Sequence, residues 1–273
     1  MTAAAADVDP VEIARAFVGA RLAANALQGF PGVVPDTLAK AYTIQDAAIG
    51  LFPDHIVGWK VGRVPPPLQT LMGDERLAGP SFSAGLRQPA AGETAALAVI
   101  EGGFAAVEAE FVYRLAVDAP AGKLDWTAEE ALAIVGGLHV GVEFAASPLK
   151  TINDLGPTVV VSDFGNNAGL VIGPEIPGWR DRPDDSLTSQ VWLDGQLVGS
   201  GTAASVPGGP ALALAFLLGN CAARGLPLTA GLYVTTGATT GIHEIRAGQS
   251  ARVSFGEFGE VLCTAEDARP TAR

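Results

Sequence analysis

The sequence is poor in the residues that build thiol and redox sites, with two cysteines, Cys221 and Cys263, among 273 residues. They lie far apart and form no C-x-x-C pair, so neither a disulfide framework nor a zinc site is expected, and a reducing compartment fits best. Long apolar runs are also missing, because the most apolar stretch, residues 211–218, is too short to span a bilayer. The N-terminal MTAAAADVDP lacks the basic region and apolar core of a signal peptide. We therefore expect a soluble, cytoplasmic protein.

Positive charge is scarce as well. The chain has 17 Lys and Arg against 29 Asp and Glu, for a net charge of −12. Nucleic-acid surfaces and anionic membranes both require clustered basic side chains, so neither is an expected partner. The order of residues also contains no G-x-S-x-G nucleophile motif and no phosphate-binding G-x-x-x-x-G-K-[ST] loop. Serine hydrolases and nucleotide-binding P-loop proteins are thereby disfavoured.

Glycine and proline are abundant, with 34 and 19 residues, which indicates many turns and a strand-rich fold. Helical signals are strongest near the N-terminus. Asp9 is expected to cap an amphipathic helix that runs to about Gln28, and Asp36 to cap a second helix. This helical pair is too small for a core of its own. We therefore predict a helical extension, residues 1–54, packed on a catalytic body, residues 55–273.

Two stretches of the body carry acidic residues on apolar strands. In AAVEAEFVYRL, residues 105–115, alternation places Glu108 and Glu110 on one strand face, and HVGVEFA, residues 139–145, adds Glu143. Neighbouring carboxylates repel each other, and apolar surroundings make their charge costly. A divalent cation would remove both costs. The alternative for an isolated E-x-E is a wetted face of an edge strand.

Further polar candidates lie elsewhere in the body. HIVGWKVG is expected to be a strand that carries Lys60, and residues 63–94 an irregular lid or binding loop that carries Asp74 and Glu75. TVVVSDF and AGLVIG are read as apolar strands, which places Asp163 at a strand end and Asn167 in a turn.

The remaining elements are structural. A capping box at residues 127–130 predicts a helix to about Leu138, and Asp194-Gly195 predicts the two-residue turn of a hairpin. Residues 211–225 predict a buried helix, and two further segments complete a strand-rich C-terminal part.

Taken together, the chain resembles the hydratase and decarboxylase branch of the fumarylacetoacetate hydrolase superfamily. The likeness covers nearly the whole chain, in matching order. It is carried by AYTIQ at 41–45, GWKVG at 58–62, VEAEFVYRL at 107–115, GVEF at 141–144, SDFGNNAGLVIG at 162–173, GGPALALAFLLG at 208–219 and TGATTGIHEIRAGQSARVSFGEFGEV at 236–261.

The resemblance implies an α+β fold, a mixed β-roll with the N-terminal helical pair. It also implies a Mg²⁺ or Mn²⁺ ion held by Glu108, Glu110 and Glu143, with Lys60 as the catalytic lysine. Substrate contacts are expected from Asp74, Glu75, Asp163, Asn167 and Thr239. Two segments depart from the family pattern: AASP follows the third glutamate where V-D-S-R is common, and MGDERLAG lacks the usual lid proline and aromatic residue.

Three carboxylates suit a hard cation with about six oxygen ligands, which leaves positions for the carboxylate and keto oxygen of a 2-oxo acid. Such a metal stabilises an enolate, while Lys60 orients the substrate or moves a proton, with a pKa lowered by burial. We therefore expect a hydratase of 2-hydroxy-2,4-dienoates. Three alternatives stay open: decarboxylation of 4-oxalocrotonate type, C–C hydrolysis, and a non-catalytic subunit. A homo-oligomer is also expected, with association to a partner enzyme of the same pathway as a further alternative.

Overall fold

The computed structural model describes residues 9–226 and 228–271. The helices of this part are α1 (Pro10–Leu22), α2 (Leu38–Leu51), α3 (Pro66–Met72), α4 (Ala128–Ala133), α5 (Pro157–Ser162) and α6 (Pro210–Ala223). The strands are β1 (Ile56–Arg63), β2 (Arg76–Phe82), β3 (Leu86–Arg87), β4 (Thr94–Val99), β5 (Phe104–Leu115), β6 (Val135–Ser147), β7 (Asn167–Glu175), β8 (Thr188–Leu193), β9 (Gln196–Thr202), β10 (Tyr233–Thr235), β11 (His243–Glu244), β12 (Ser250–Ser254) and β13 (Glu260–Asp267).

The strands form two curled sheets. The larger sheet has the order β2-β1-β10-β5-β6-β7-β3, and the short strand β11 pairs with a different part of β5 from β10. The smaller sheet has the order β4-β13-β12-β8-β9. Most neighbours are antiparallel, but β1 and β10 run parallel, as do β3 and β7 in the larger sheet and β4 and β13 in the smaller. The predicted mixed α+β class is therefore confirmed.

The main core lies between the two sheets. On β5, Val107, Ala109 and Phe111 point towards it and are fully buried. Phe111 makes an edge-to-face contact with Phe255 of the C-terminal segment, with ring centroids 5.5 Å apart. Because side chains alternate along a strand, the residues between these apolar positions face away from this core. Those residues include the glutamates of the E-x-E motif.

The N-terminal helices pack on each other and on the larger sheet. α1 begins as expected, since the Asp9 side chain accepts a hydrogen bond of 2.9 Å from the Val11 amide. It ends at Leu22 and not near Gln28, because Ala24 takes a left-handed conformation (φ +51°) and Leu27 forms a β-bridge with the body.

The second helix is capped one residue later than expected. The Thr37 hydroxyl accepts from the Lys40 amide at 3.3 Å and is the N-cap of α2. Asp36 instead pairs with the Lys40 ammonium at 3.0 Å.

Two further expectations about local structure are wrong. TVVVSDF is not a strand, because Pro157 starts the short helix α5, which includes most of this segment. The helix predicted from 127 to about Leu138 ends at Ala133, although its capping box is present. Strand β6 begins at Val135, where it pairs with Leu115 at the end of β5.

The stretch 63–94 is ordered into α3, β2 and β3 rather than being one irregular loop. The predicted hairpin turn is present, with Asp194 and Gly195 at φ +47° and +82°, both left-handed as such a turn requires. In the C-terminal part, residues 233–244 form only two short strands, β10 and β11. Among the helices of the described residues, none has both the length and the apolarity needed to cross a membrane.

Candidate active site

Strand pairing brings the three glutamates of the sequence together. β5 and β6 are antiparallel neighbours in a register that sets Glu108 directly opposite Glu143, and Glu110 shares the face of Glu108 two residues on. One carboxylate oxygen from each residue lies within 4.8 Å of the others. All three side chains are buried. The site is therefore a compact, enclosed cluster of three potential negative charges.

This cluster is electrostatically unfavourable without a cation. Burial, followed by the charge of Glu143, raises the pKa of Glu108 to about 8, and Lys60 offsets part of that rise. Burial and both neighbouring carboxylates raise the pKa of Glu110 well above its usual value. A divalent cation would stabilise the ionised form of these groups.

The hydrogen bonds around the carboxylates leave room for such an ion. The Gly237 amide donates to Oε2 of Glu110 at 2.7 Å, and Glu143 accepts from Asn167 Nδ2 at 3.2 Å and Thr235 Oγ1 at 3.3 Å. Oε1 of Glu110 is buried, yet it receives no hydrogen bond from any described residue. An all-oxygen set with an unpartnered, inward-facing atom fits a hard cation such as Mg²⁺ or Mn²⁺.

Lys60 completes the cluster from a third strand. β10 lies between β1 and β5, in a register that sets Lys60 opposite Thr235 and Thr235 opposite Val112. The Lys60 ammonium is 3.3 Å from Oε1 of Glu143, and the lysine side chain is 7% exposed. Burial lowers the pKa of Lys60, but the three carboxylates, Glu143 most of all, outweigh burial and raise it above its ordinary value. The lowered pKa expected from burial alone is therefore wrong.

A cavity of about 390 Å³ opens onto this cluster. Lys60 and Glu108 line its wall, while Glu110 and Glu143 are not exposed to it. The rest of the lining comes from β1, from α3 and β2 with the residues before them, from α5 with the segments on either side of it, and from segments 205–207 and 236–242. These residues are Val61, Gly62, Arg63, Pro65, Leu68, Glu75, Arg76, Leu77, Asn153, Asp154, Gly156, Pro157, Val160, Asn166, Ser205, Val206, Pro207, Thr236, Gly237, Ala238 and Ile242.

Of the five predicted substrate contacts, the structure brings two to this region. Glu75 lines the cavity, and Asn167 donates to Glu143 behind it. Asp74 lies outside the cavity lining and accepts from the Arg76 amide at 3.1 Å. Thr239 is buried beside β5, where its hydroxyl donates to the Ala109 carbonyl at 2.8 Å.

Asp163 is the fifth predicted substrate contact, and it pairs with Arg21 instead. Its carboxylate accepts two hydrogen bonds from Arg21 of α1, at 2.6 and 2.9 Å, and a third from the Ser147 hydroxyl at 2.6 Å. It lies at the end of α5, outside the cavity lining. Asp163 therefore links α1 to β6 through its hydrogen bonds with Arg21 and Ser147, and it does not face the cavity.

Removing the Arg21–Asp163 ion pair should destabilise the folded protein strongly. In Arg21→Met, the fully buried Asp163 carboxylate loses its partner, which typically costs about 3–5 kcal/mol of unfolding free energy. The matched control is Arg15→Met on the same helix, whose pair with Glu12 is 62% exposed on both sides and should contribute about 0–1 kcal/mol. Urea denaturation measures both, and equal losses in the two variants would contradict this assignment.

Asn166 lines the cavity but was not predicted from the sequence, which pointed to its neighbour Asn167. Phe164, Gly165 and Asn166 all take positive φ, at +55°, +65° and +67°. For the two non-glycine residues this is a costly conformation, of a kind that clusters at functional sites. Asn166 is buried on the cavity wall, and its Oδ1 has no hydrogen-bond partner among the described residues. The Asn-Asn pair was the available signal, because asparagine tolerates left-handed backbone.

Comparisons with known proteins agree on the fold. The 4-oxalocrotonate decarboxylase from Pseudomonas putida G7, complexed with magnesium and adipate, matches with a TM-score of 0.78 and 19% identity, over 94% of this chain and 97% of that one. Fumarylpyruvate hydrolase from Pseudomonas aeruginosa, with Mn²⁺ and pyruvate, matches with a TM-score of 0.56 and 17% identity, over 79% and 91%. Maleylpyruvate hydrolase from Sphingobium sp. SYK-6 gives 0.51 and 12%, over 77% and 71%.

No family model matches the chain, and no curated protein matches it by sequence. The structural matches nevertheless show the fold, which this chain shares with 4-oxalocrotonate decarboxylase and fumarylpyruvate hydrolase, two members of the fumarylacetoacetate hydrolase superfamily. The resemblance expected from the ordered motifs is thus confirmed.

Proposed function

We propose that this protein is a divalent-metal-dependent lyase of 2-oxo acids that acts in the breakdown of aromatic compounds. Within that class, the reaction that we favour is addition of water to a 2-hydroxy-2,4-dienoate of the 2-oxopent-4-enoate type, which gives a 4-hydroxy-2-oxo acid. The observation that carries the proposal is the buried cluster of Glu108, Glu110 and Glu143 with Lys60, at the wall of a cavity large enough for a small organic acid.

The cation that we propose for the cluster is Mg²⁺ or Mn²⁺. The orphaned Oε1 of Glu110 and the all-carboxylate donor set support it, as do the magnesium and manganese ions in the structurally similar enzymes. When bound, such an ion supplies Lewis acidity that stabilises negative charge on the oxygens of a 2-oxo acid. The protein's own part is to bind it through Glu108, Glu110 and Glu143.

Lys60 supplies the positive charge on the protein side of the reaction. Its contact with Glu143 favours the ammonium form of Nζ, and its place on the cavity wall lets it donate a hydrogen bond to the substrate carboxylate. The same N–H group is positioned to carry the proton that moves when the dienol becomes a ketone.

Asn166 is the cavity residue that we propose for a role in hydration. Its buried Oδ1 lacks a donor, and it lines the cavity. A small rotation of the Asn166 side chain would expose this acceptor to the cavity, where it could bind a water molecule and orient it for addition to the substrate. Asn166 is therefore our candidate for positioning the water.

The variant Asn166→Gly tests this role, since glycine accepts the φ of +67° without strain. Loss of one neutral hydrogen bond predicts a fall of roughly 3- to 10-fold in the rate of water addition, while deuterium exchange by the ketonising substrate is unchanged. Asn166→Asp keeps the acceptor and should retain more activity than the glycine variant. Unchanged hydration in Asn166→Gly would exclude the residue.

Decarboxylation is the second candidate. The 4-oxalocrotonate decarboxylase aligns over nearly all of both chains, whereas the two hydrolases align over about four fifths of this chain with lower TM-scores. C–C hydrolysis and a non-catalytic subunit that binds metal are the remaining alternatives. A product-resolved assay on 2-hydroxypenta-2,4-dienoate, 4-oxalocrotonate and fumarylpyruvate, with and without Mg²⁺, separates them, with cleavage of fumarylpyruvate as the sign of C–C hydrolysis. Water addition, loss of CO₂, or no turnover each selects one.

We also propose that the protein is cytoplasmic and forms a homo-oligomer, with a partner enzyme of the same pathway as a further candidate for association. Exposed Leu124 and Leu212 lie beside Phe216 in one shallow groove between α4 and α6, and a second copy of the chain would shield them. Light scattering at micromolar concentration should give at least the mass of a dimer. A monomeric mass would refute the assembly.

A further inference from the structure

We propose that Asp154 is the general base that activates the water molecule added to the substrate. The inference rests on the proposed hydration of a 2-hydroxy-2,4-dienoate, and it adds a catalytic residue to that reaction. Lys60 then serves the conversion of the dienol to the ketone, and Asp154 serves the addition of water that follows.

Few groups on the cavity wall can accept a proton. Among the described lining residues there is no histidine, cysteine or tyrosine, and the carboxylates are Glu75, Glu108 and Asp154. Glu108 belongs to the acidic cluster, and Glu75 faces the Arg76 guanidinium at 3.9 Å. The Asp154 carboxylate has no hydrogen bond or ion pair with any described residue. Asp154 is therefore the lining carboxylate whose charge is not already shared with a neighbour.

Asp154 also lies next to the residue that we propose for holding the water. Nδ2 of Asn166 donates to Oδ1 of Asn153, which precedes Asp154 in the chain, at 3.4 Å. All three residues line the cavity. Once Oδ1 of Asn166 turns towards the cavity, a water molecule can donate one hydrogen to it and the other to the Asp154 carboxylate. The oxygen lone pair of that water is then directed at the substrate.

The turn that carries Asp154 is held to the body of the protein on both sides. Ile152 is fully buried, and the Gly156 amide donates to the Asn153 carbonyl at 3.2 Å. The Asp154 side chain itself is exposed, and together with Asn153 it also lines a second cavity, against residues 99–105 and 244–247. A base at this position has access to solvent, whereas Lys60 is buried beside the acidic cluster. The two groups therefore serve different depths of the site.

The water step balances with this one base. The water oxygen forms its bond to C4 of the 2-oxo-3-enoate while its proton passes to the Asp154 carboxylate. The electrons of the C3–C4 double bond shift towards the keto oxygen and give an enolate. Asp154 then returns the proton to C3 as the keto group re-forms. The product has gained one water molecule, and the carboxylate is restored.

The variant Asp154→Asn tests the assignment, with 2-hydroxypenta-2,4-dienoate and saturating Mg²⁺ in D₂O and with the products followed by NMR. Loss of a general base predicts a fall of about 10²- to 10⁴-fold in the rate of water addition. Ketonisation, measured as deuterium that enters the substrate, should stay within a fewfold because Lys60 is intact, so 2-oxopent-3-enoate should accumulate. Asp154→Glu keeps a carboxylate and should recover part of the hydration rate.

The matched control is Asp267→Asn, because Asp267 is an exposed aspartate that lines the second cavity and not the one at the acidic cluster. It should hydrate at the rate of the unaltered protein. Hydration by Asp154→Asn within a fewfold of that rate would overturn the assignment and leave the proposed function standing, as would a large loss confined to Glu75→Gln. If the unaltered protein adds no water to the dienoate, the proposed hydration is overturned and the assignment with it.

Discussion

Replacing Glu143 by glutamine is expected to weaken divalent-metal binding by at least about 100-fold and to abolish activity at micromolar metal. Loss of an outer-shell partner typically costs about 10- to 100-fold in metal affinity, and a direct ligand should cost more. Glu143 stands opposite Glu108 and also contacts Lys60, so its neutral amide removes the central anion of the cluster. Isothermal titration with Mg²⁺ and Mn²⁺ measures the loss.

The fold should survive this change, because glutamine has the shape of glutamate and keeps one oxygen to accept from Asn167. Its NH₂ group takes the place of Oε2, where the Thr235 hydroxyl can accept instead of donating. The control is Glu175→Gln, an exposed residue at the far end of β7, which should bind metal normally. In the unaltered protein, EDTA should abolish activity and Mg²⁺ or Mn²⁺ restore it. Full activity of Glu143→Gln in chelator would refute the site.

The same site predicts how pH acts on the metal-free protein. Folding raises the pKa of Glu108 to about 8 from an ordinary value of 4.5, so the folded state binds this proton more tightly than the unfolded state. The resulting stabilisation is complete below pH 4.5 and is lost as the pH rises through about 8. Since metal binding must displace the proton, metal affinity should increase over the same interval. Urea denaturation of chelated protein across this range checks the sign.

Lys60→Met should lower kcat by about 10²- to 10⁴-fold while metal affinity changes little, since that is the usual contribution of a positioned proton-transfer group. Methionine keeps most of the apolar stem. Trp59 and Val61, on the opposite strand face, keep their packing in the core. Glu143 loses its contact with the ammonium but keeps the Asn167 hydrogen bond. Steady-state kinetics at saturating Mg²⁺ measure the loss.

A second lysine provides the control for this experiment. Lys150 is exposed and lies outside the cavity lining, so Lys150→Met should leave kcat within a fewfold of the starting protein. If Lys60→Met also keeps its kcat and loses only thermal stability, the buried lysine is part of the scaffold and the proton must be carried by another group.

The glutamates were predictable because a strand's two-residue period is visible in the sequence. Glu108 and Glu110 must share a face, and their apolar neighbours imply burial. Their convergence with Glu143 depends on the register of β5 against β6, which no local pattern encodes. The parallel pairing of β1 with β10, which brings in Lys60, is likewise a long-range contact. The resemblance to a known family supplied what periodicity could not.

The errors have local causes. The β-branched run TVVVS favours a strand, yet Gly156 and Pro157 start a helix there, and tertiary contacts decide the outcome. Asn166 escaped notice because its importance comes from an unpartnered oxygen, a property of the packed structure.

The insertion of β10 between β1 and β5 has a consequence for how the chain matures. β1 and β5 are made early in synthesis, but the strand that joins them is residues 233–235, near the far end of the chain. Until that segment leaves the ribosome, both strands present open edges, which favour pairing with other chains. Closing such a distant contact is also slow. The acidic cluster and Lys60 can therefore meet only late in folding, and open strand edges leave the nascent chain prone to aggregation until then.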